Sequence, residues 1–183
     1  MDLEASLLWQ QGVFPGNLEE VPLEPGCGVR VAVSDLGGEL LATTLNFNEV
    51  DTGLHSEDEG ADIRSEIFTV GRVSSEVAVS ALQQVSAKLA AFNQKLLGMV
   101  PAQPGTMIPG LELEGCSVRH GVFVVPYVWG EQVPRFSEGG RLVVMLQLVL
   151  LSDEEYEYAV TYGVPALQQA LSEQGVDLLD WQR

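Results

Sequence analysis

From Arg141 to Leu151 the chain reads RLVVMLQLVLL, broken after its opening arginine by a single polar side chain, Gln147. A run this apolar, without the in–out alternation of a half-buried strand, describes a strand covered on both faces. It is about half the length that a membrane-spanning helix needs. The chain must therefore carry a sheet with helices on at least one side, and this run calls for both sides.

A helix for that role follows a pair of serines. Ser74 or Ser75 can cap it, and Ala78, Leu82, Val85, Leu89, Phe92 and Leu96 recur in steps of four and three, which keeps one apolar stripe inward. Gly98 stands where a left-handed residue would close it. From Ser75 to Leu97 such a helix would run about 30 Å, enough to cross a sheet face.

Further strands come from period-two patterning. In GVRVAVSD (28–35) Val29, Val31 and Val33 share a side, and Asp35-Leu36-Gly37-Gly38 supplies a turn towards ELLATTLNF (39–47), so the two can pair as a hairpin. DIRSEIFTVG (62–71) predicts a strand over at least Glu66 to Val70. GCSVRHGVFVVP (115–126) predicts a strand pair or one long bulged strand, irregular at Gly121. The stretches 51–62, 100–110 and 127–140 read as loops. Residues 1–26 read as an N-terminal arm or short helix followed by loop, with Trp9 and Phe14 able to pin it to the body.

The carboxylates of SDEEYEYAV belong to a helix start. Ser152 as N-cap puts Glu155 at the third helical position, the reciprocal capping box, and Asp153 and Glu154 fall where unpaired N–H groups favour anions. Tyr156 and Val160, four apart, are expected to face the body. Gly163 ends this helix, Pro165 opens another through Leu167 and Leu171, Gly175 closes it, and VDLLDW remains as an apolar anchor. With 183 residues, 46% hydrophobic and 19% charged, the expectation is one domain over 1–183. Its class is α/β (α+β): a mixed β-sheet flanked by helices.

Nine basic residues against 26 acidic ones give a net charge of −17. Such a surface disfavours nucleic acid and anionic membranes and steers basic proteins inward. No basic segment precedes an apolar core at the amino end, and Cys27 and Cys116 suit free thiols in a reducing compartment, so the expected location is cytoplasmic.

Catalytic signatures are missing: there is no HExxH, no glycine–lysine phosphate loop and no GxSxG elbow, and the turn Gly26-Cys27-Gly28 precedes its strand. Cys116 and His120 on one strand would stand about 13 Å apart, too far for a nucleophile and its base. His55 lies among Asp51, Glu57, Asp58 and Glu59, oxygen ligands that lack the spacing of a calcium loop. No metal or cofactor is expected.

Two stretches suit contact with another protein. Glu57, Asp58, Glu59 and Asp62 would steer a basic partner. Tyr127, Trp129, Arg135 and Phe136 have the composition of an interface hot spot. The rival readings are a small hydrolase or ligand-binding enzyme with acidic groups near a cleft, and a structural homodimer burying an exposed Trp129 or Trp181.

Residues 141 to 172, as RLVVMLQLVLL, SDEEYEYAV and YGVPALQQAL, resemble the suppressor-of-fused-like domain family: a very apolar strand, an acidic helix start, a Tyr-containing helix and a glycine-led final helix. Upstream, ATTLNF and EIFTVGRV look like that family's threonine-containing strand and its strand of Glu followed by apolar residues, so the likeness runs over roughly residues 40 to 180. The resemblance implies a non-enzymatic mixed α/β domain. In animals the family binds a transcription factor. Its bacterial members accompany polymorphic toxin systems, and many act as immunity proteins. The resemblance therefore implies a protein partner, with a basic toxin domain as the expected one.

Overall fold

The apolar run lies near the middle of a sheet. In a computed structural model of the chain, described for residues 1–22, 28–96, 100–130 and 132–183, the strands are β1 (Glu19–Glu20), β2 (Val31–Asp35), β3 (Leu40–Thr44), β4 (His55–Ser56), β5 (Ala61–Gly71), β6 (Met107–Ile108), β7 (His120–Val124), β8 (Arg135–Glu138) and β9 (Arg141–Leu151). The helices are α1 (Leu3–Gln11), α2 (Ser75–Leu96), α3 (Asp153–Tyr162) and α4 (Val164–Glu173). Gly26, Cys27, Leu97 and Gly98, and with them the expected glycine turn, one thiol and the end of the long helix, lie outside the described residues.

The sheet order is β1-β2-β3-β5-β9-β7-β6, with β4 paired to β5 and β8 to β9. β5 and β9 run parallel and the other described pairs antiparallel, so the sheet is mixed, as expected. A parallel pair needs a crossover, and α2 lies within this one.

β9 shows why its sequence does not alternate. Leu146, Leu148 and Leu150 point into the cluster beneath α2, where Leu82, Val85 and Leu89 are sealed from solvent. On the opposite face Met145 joins a cluster with Phe14, Leu41 and Phe68 under α1, while Val149 and Leu151 pack with Ala159 and Leu167 under α3 and α4. Both faces are buried, so both need apolar residues. Each buried aliphatic side chain of α2 contributes roughly 1.5–3 kcal/mol, against about 1 kcal/mol for a helix cap.

Several expectations need correction. The α2 stripe passes through Asn93, not Phe92, because 3.6 residues per turn carry the face past position 92; Phe92 is exposed, and the side chain of Leu96 lies outside the described residues. Asn93 donates to the carbonyls of Leu89 and Val100, each at 3.0 Å, and so ties the helix to the next segment. Positions 115–119 are not strand, and β7 starts at His120. Gly121 is regular strand, kept small because a Cβ there would stand 2.7 Å from Leu148 Cδ1. The stretches expected to be loops contribute β4, β6 and β8. Strands this short take their pairing from a neighbour already in place, not from any periodicity of their own.

The capping box is present, with Ser152 accepting from the Glu155 N–H and Glu155 accepting from the Ser152 N–H. Ala159, not Val160, is the residue α3 buries; Val160 is 59% exposed. Trp181 is not a surface residue at all. It is 1% exposed and lies so close to Gly71 that a Cβ there would meet its Nε1 at 2.5 Å.

Candidate functional site

The acidic hairpin and the aromatic loop, far apart in the chain, meet at one end of the sheet. Parallel register sets Asp62 opposite Arg141, so the turn before β5 lies beside the turn before β9, and the Asp62 N–H donates to the Gly140 carbonyl at 3.0 Å. Arg135 on β8 then reaches Glu59, Nη1 to Oε1 at 2.9 Å.

Most carboxylates at this end already have an internal cation. Arg64, only 5% exposed, pairs with Asp51 and lies 3.6 Å from Asp62. The guanidinium, with the Gly53 N–H, holds the Asp51 carboxyl below its ordinary range. His55 meets Asp62 at 3.2 Å, and the amino terminus meets Glu138 at 2.7 Å. Glu57 and Asp58 form no ion pair among the described residues. The unpaired negative charge at this rim is thus smaller than the sequence suggests.

The aromatic residues divide by role. Trp129 packs into the body, its ring 5.3 Å from that of Phe14 and 5.4 Å from that of Phe68. Phe136 is half-buried against Trp9 at 6.0 Å. Tyr127 alone of the three stands out, 66% exposed, with its hydroxyl held by the Gln168 side chain. Val125 and Val128 beside it are exposed too, as are Tyr158, Val160 and Tyr162 on α3. Sequence reading missed this second group. The signal available was a helix carrying four large apolar side chains, Tyr156, Tyr158, Val160 and Tyr162, more than one narrow stripe can bury.

His120 lies 3.0 Å from Asp153 through Nε2 and stacks on Tyr156 at 4.1 Å. The Gly110 N–H donates to its Nδ1 at 3.3 Å, which leaves Nε2 to donate to Asp153. The half-buried Cys116 contacts the Glu114 carbonyl at 3.7 Å, and burial pushes its thiol up, away from the reactive thiolate. Among the described residues no three His, Cys, Asp or Glu side chains gather where they could hold a metal ion, and no helix is long and apolar enough to cross a membrane.

Among the described residues the carboxylate sealed from solvent is Glu66. Its Oε2 accepts from the Thr44 hydroxyl and from the Phe47 N–H at 3.1 Å, and its Oε1 from the Asn48 N–H at 3.3 Å and the Asn48 amide at 2.6 Å. Desolvation raises it to about 7 against the pull of those donors. It anchors the single turn Phe47–Glu49 that leaves β3. Thr44 of ATTLNF and Glu66 of EIFTVGRV, in two stretches that carry the resemblance, are thus partners in one hydrogen bond.

The family model described as suppressor of fused protein (SUFU) matches residues 43–183. The chain belongs to the SUFU family. Among curated relatives it is 21% identical over 156 residues to the immunity protein YqcF of Bacillus subtilis (strain 168), covering 84% of this chain and 78% of that one. Among solved structures, a SUFU homologue from Neisseria gonorrhoeae FA 1090 superposes with a TM-score of 0.73 at 15% identity, over 100% of this chain and 96% of that one. A chain of the Sufu–Fu complex superposes with a TM-score of 0.64 at 13% identity, over 99% of this chain and 90% of that one. These superpositions place the mixed sheet and its helices within the SUFU fold.

Proposed function

We propose that this SUFU domain is a non-catalytic immunity protein that docks on a cognate toxin and blocks it in the cytoplasm. The observation that carries this reading is the similarity to YqcF across most of both chains. The Sufu–Fu structure adds that a domain of this fold has been seen in a complex. The net charge of −17 suits a basic toxin domain. At the rim, Glu57 and Asp58 provide steering charge, Glu59, Asp62 and Arg135 give the hairpins their shape, and Tyr127 offers contact area. Trp129 and Phe136 hold the loop from beneath.

The test is to express the chain with the toxin domain encoded beside its gene. Cells should survive toxin expression only when the chain is present, and the purified pair should run as one complex in light scattering. Survival unchanged by the chain, with no complex formed, would overturn the reading.

A further inference from the structure

Two clefts flank α4. On its sheet side a cavity of about 300 Å³ is walled by Val124, Val149 and Val164, with Tyr127 and Gln168 also in its lining. On its other side a depression of about 380 Å³ against α3 is bounded by Tyr158, Ala170 and Glu154. Leu167 and Leu171 line both, so the clefts adjoin around the helix. Most of the large exposed apolar side chains of the described residues stand nearby or along α3: Val125, Tyr127, Val128, Tyr158, Val160 and Tyr162, against Leu3, Leu8 and Phe92 elsewhere. Aromatic side chains gathered beside the apolar sheet-side cavity mark a surface that another protein covers.

The charge around this surface says which kind of partner. Every charged side chain from Leu142 to Gln182 is acidic. Glu155 is held by Arg183, Asp177 by Arg72, and Asp153 bonds His120. Glu154, Glu157 and Glu173 have no cationic partner among the described residues, whereas the hairpin rim, beside its unpaired Glu57 and Asp58, carries Arg64, Arg135 and His55. A second copy of this chain brings the same −17 and is repelled, as is an anionic membrane. The apolar sheet-side cavity, with unpaired Glu154 in the neighbouring cleft and Glu157 and Glu173 on the same two helices, matches a segment whose apolar side chains are flanked by Lys or Arg.

We propose that α4 and its two clefts are the docking surface for an amphipathic basic segment of a protein partner, its apolar side chains entering the clefts and its cations meeting Glu154, Glu157 and Glu173. The inference rests on the protein-binding reading above, though not on the partner being a toxin.

Two helical peptides of about fifteen residues test it, one of Leu and Lys, the other of Leu and Glu in the same spacing. With the full isotope-labelled chain, the Leu–Lys peptide should shift the amides of Tyr127, Tyr158, Tyr162 and α4, and the Leu–Glu peptide should not bind. The combined variant Glu154→Gln, Glu157→Gln, Glu173→Gln should weaken the Leu–Lys peptide by about tenfold in fluorescence anisotropy. Tyr127→Ser should weaken it as well while leaving the circular dichroism unchanged. Shifts confined to the 55–62 hairpin or spread over the whole acidic surface would overturn the proposal. So would equal binding of both peptides, or a dimer in sedimentation equilibrium that occludes α4. If the chain protects cells from its toxin and the triple variant protects equally, while the Leu–Lys peptide also fails to discriminate the variant, the surface is wrong and the immunity reading stands. If the chain fails to protect at all while the peptide results hold, the reverse is true.

Discussion

Arg183, the last residue of the chain, grips Glu155 with two guanidinium nitrogens, Nε and Nη2, each 2.9 Å from a carboxylate oxygen. Glu155 is also the residue that closes the capping box at the start of α3. One carboxylate thus fixes a helix terminus and anchors the chain end, and Arg183 adds a bond from Nη2 to the Leu150 carbonyl at 2.5 Å.

Both partners are largely buried, at 12% and 14% exposure. Arg183→Ala should therefore destabilise the fold by about 2–4 kcal/mol, more than a surface ion pair would. Glu155→Ala should cost about 1 kcal/mol beyond that for the lost cap. A double-mutant cycle in urea with a coupling energy near zero would show that the two side chains do not cooperate.

Glu66 makes stability depend on pH. Its folded carboxyl is raised to about 7 from an ordinary 4.5, so between those values the folded protein holds a proton the unfolded chain has released. Its contribution is complete below about pH 4.5 and is lost as pH rises through 7, a change on the order of 3 kcal/mol. Glu66→Gln removes this titration. The stability of the parent relative to that variant should fall from pH 4.5 to 7 in denaturant melts, and a rise over the same range would contradict the assignment.

Gly71→Ala should destabilise the fold by about 1–3 kcal/mol through overpacking against Trp181. Tryptophan fluorescence should move to longer wavelength as the C-terminal anchor lifts. An unchanged melt and spectrum would mean that Trp181 has room to shift.

Trp129 and Tyr127 should separate cleanly. Trp129→Ala removes a ring packed on Phe14 and Phe68 and should cost about 2–4 kcal/mol. Tyr127→Ala, at an exposed site, should stay within about 0.5 kcal/mol in stability. Partner affinity should respond in the opposite order, measured on protein confirmed to be folded.

At the hairpin rim, Glu57→Gln with Asp58→Asn should slow association with a basic partner several-fold at about 20 mM salt and leave it nearly unchanged at about 300 mM. Glu59→Gln should slow it less, because it removes one negative charge where the double variant removes two. On-rates from stopped flow that ignore both the variants and the salt would rule the rim out as a steering surface.

Much of the architecture could be read before any coordinates. The unbroken apolar run of β9, the stripe of α2, the valines of β2 and the Ser152–Glu155 box are local patterns with one low-energy solution each, so residues near in sequence dictate them. The resemblance rested on β9 and the start of α3 among these, together with ATTLNF, EIFTVGRV and the final helix. What the sequence could not settle were pairings between distant residues: Thr44 with Glu66, Glu59 with Arg135, Glu155 with Arg183, Gly71 with Trp181. β4, β6 and β8 belong with these, as strands only because a neighbour offers an edge.

The carboxylates show the division most plainly. Composition sets their number, and so the sign and strength of the field around the molecule. Only tertiary structure decided which are cancelled by a cation and which remain free, because charge compensation acts over a few ångströms in space whatever the separation along the chain. The acidic stretch that stood out in the sequence proved largely paired. The carboxylates that had read as helix punctuation supply, in Glu154, free charge beside the exposed aromatics.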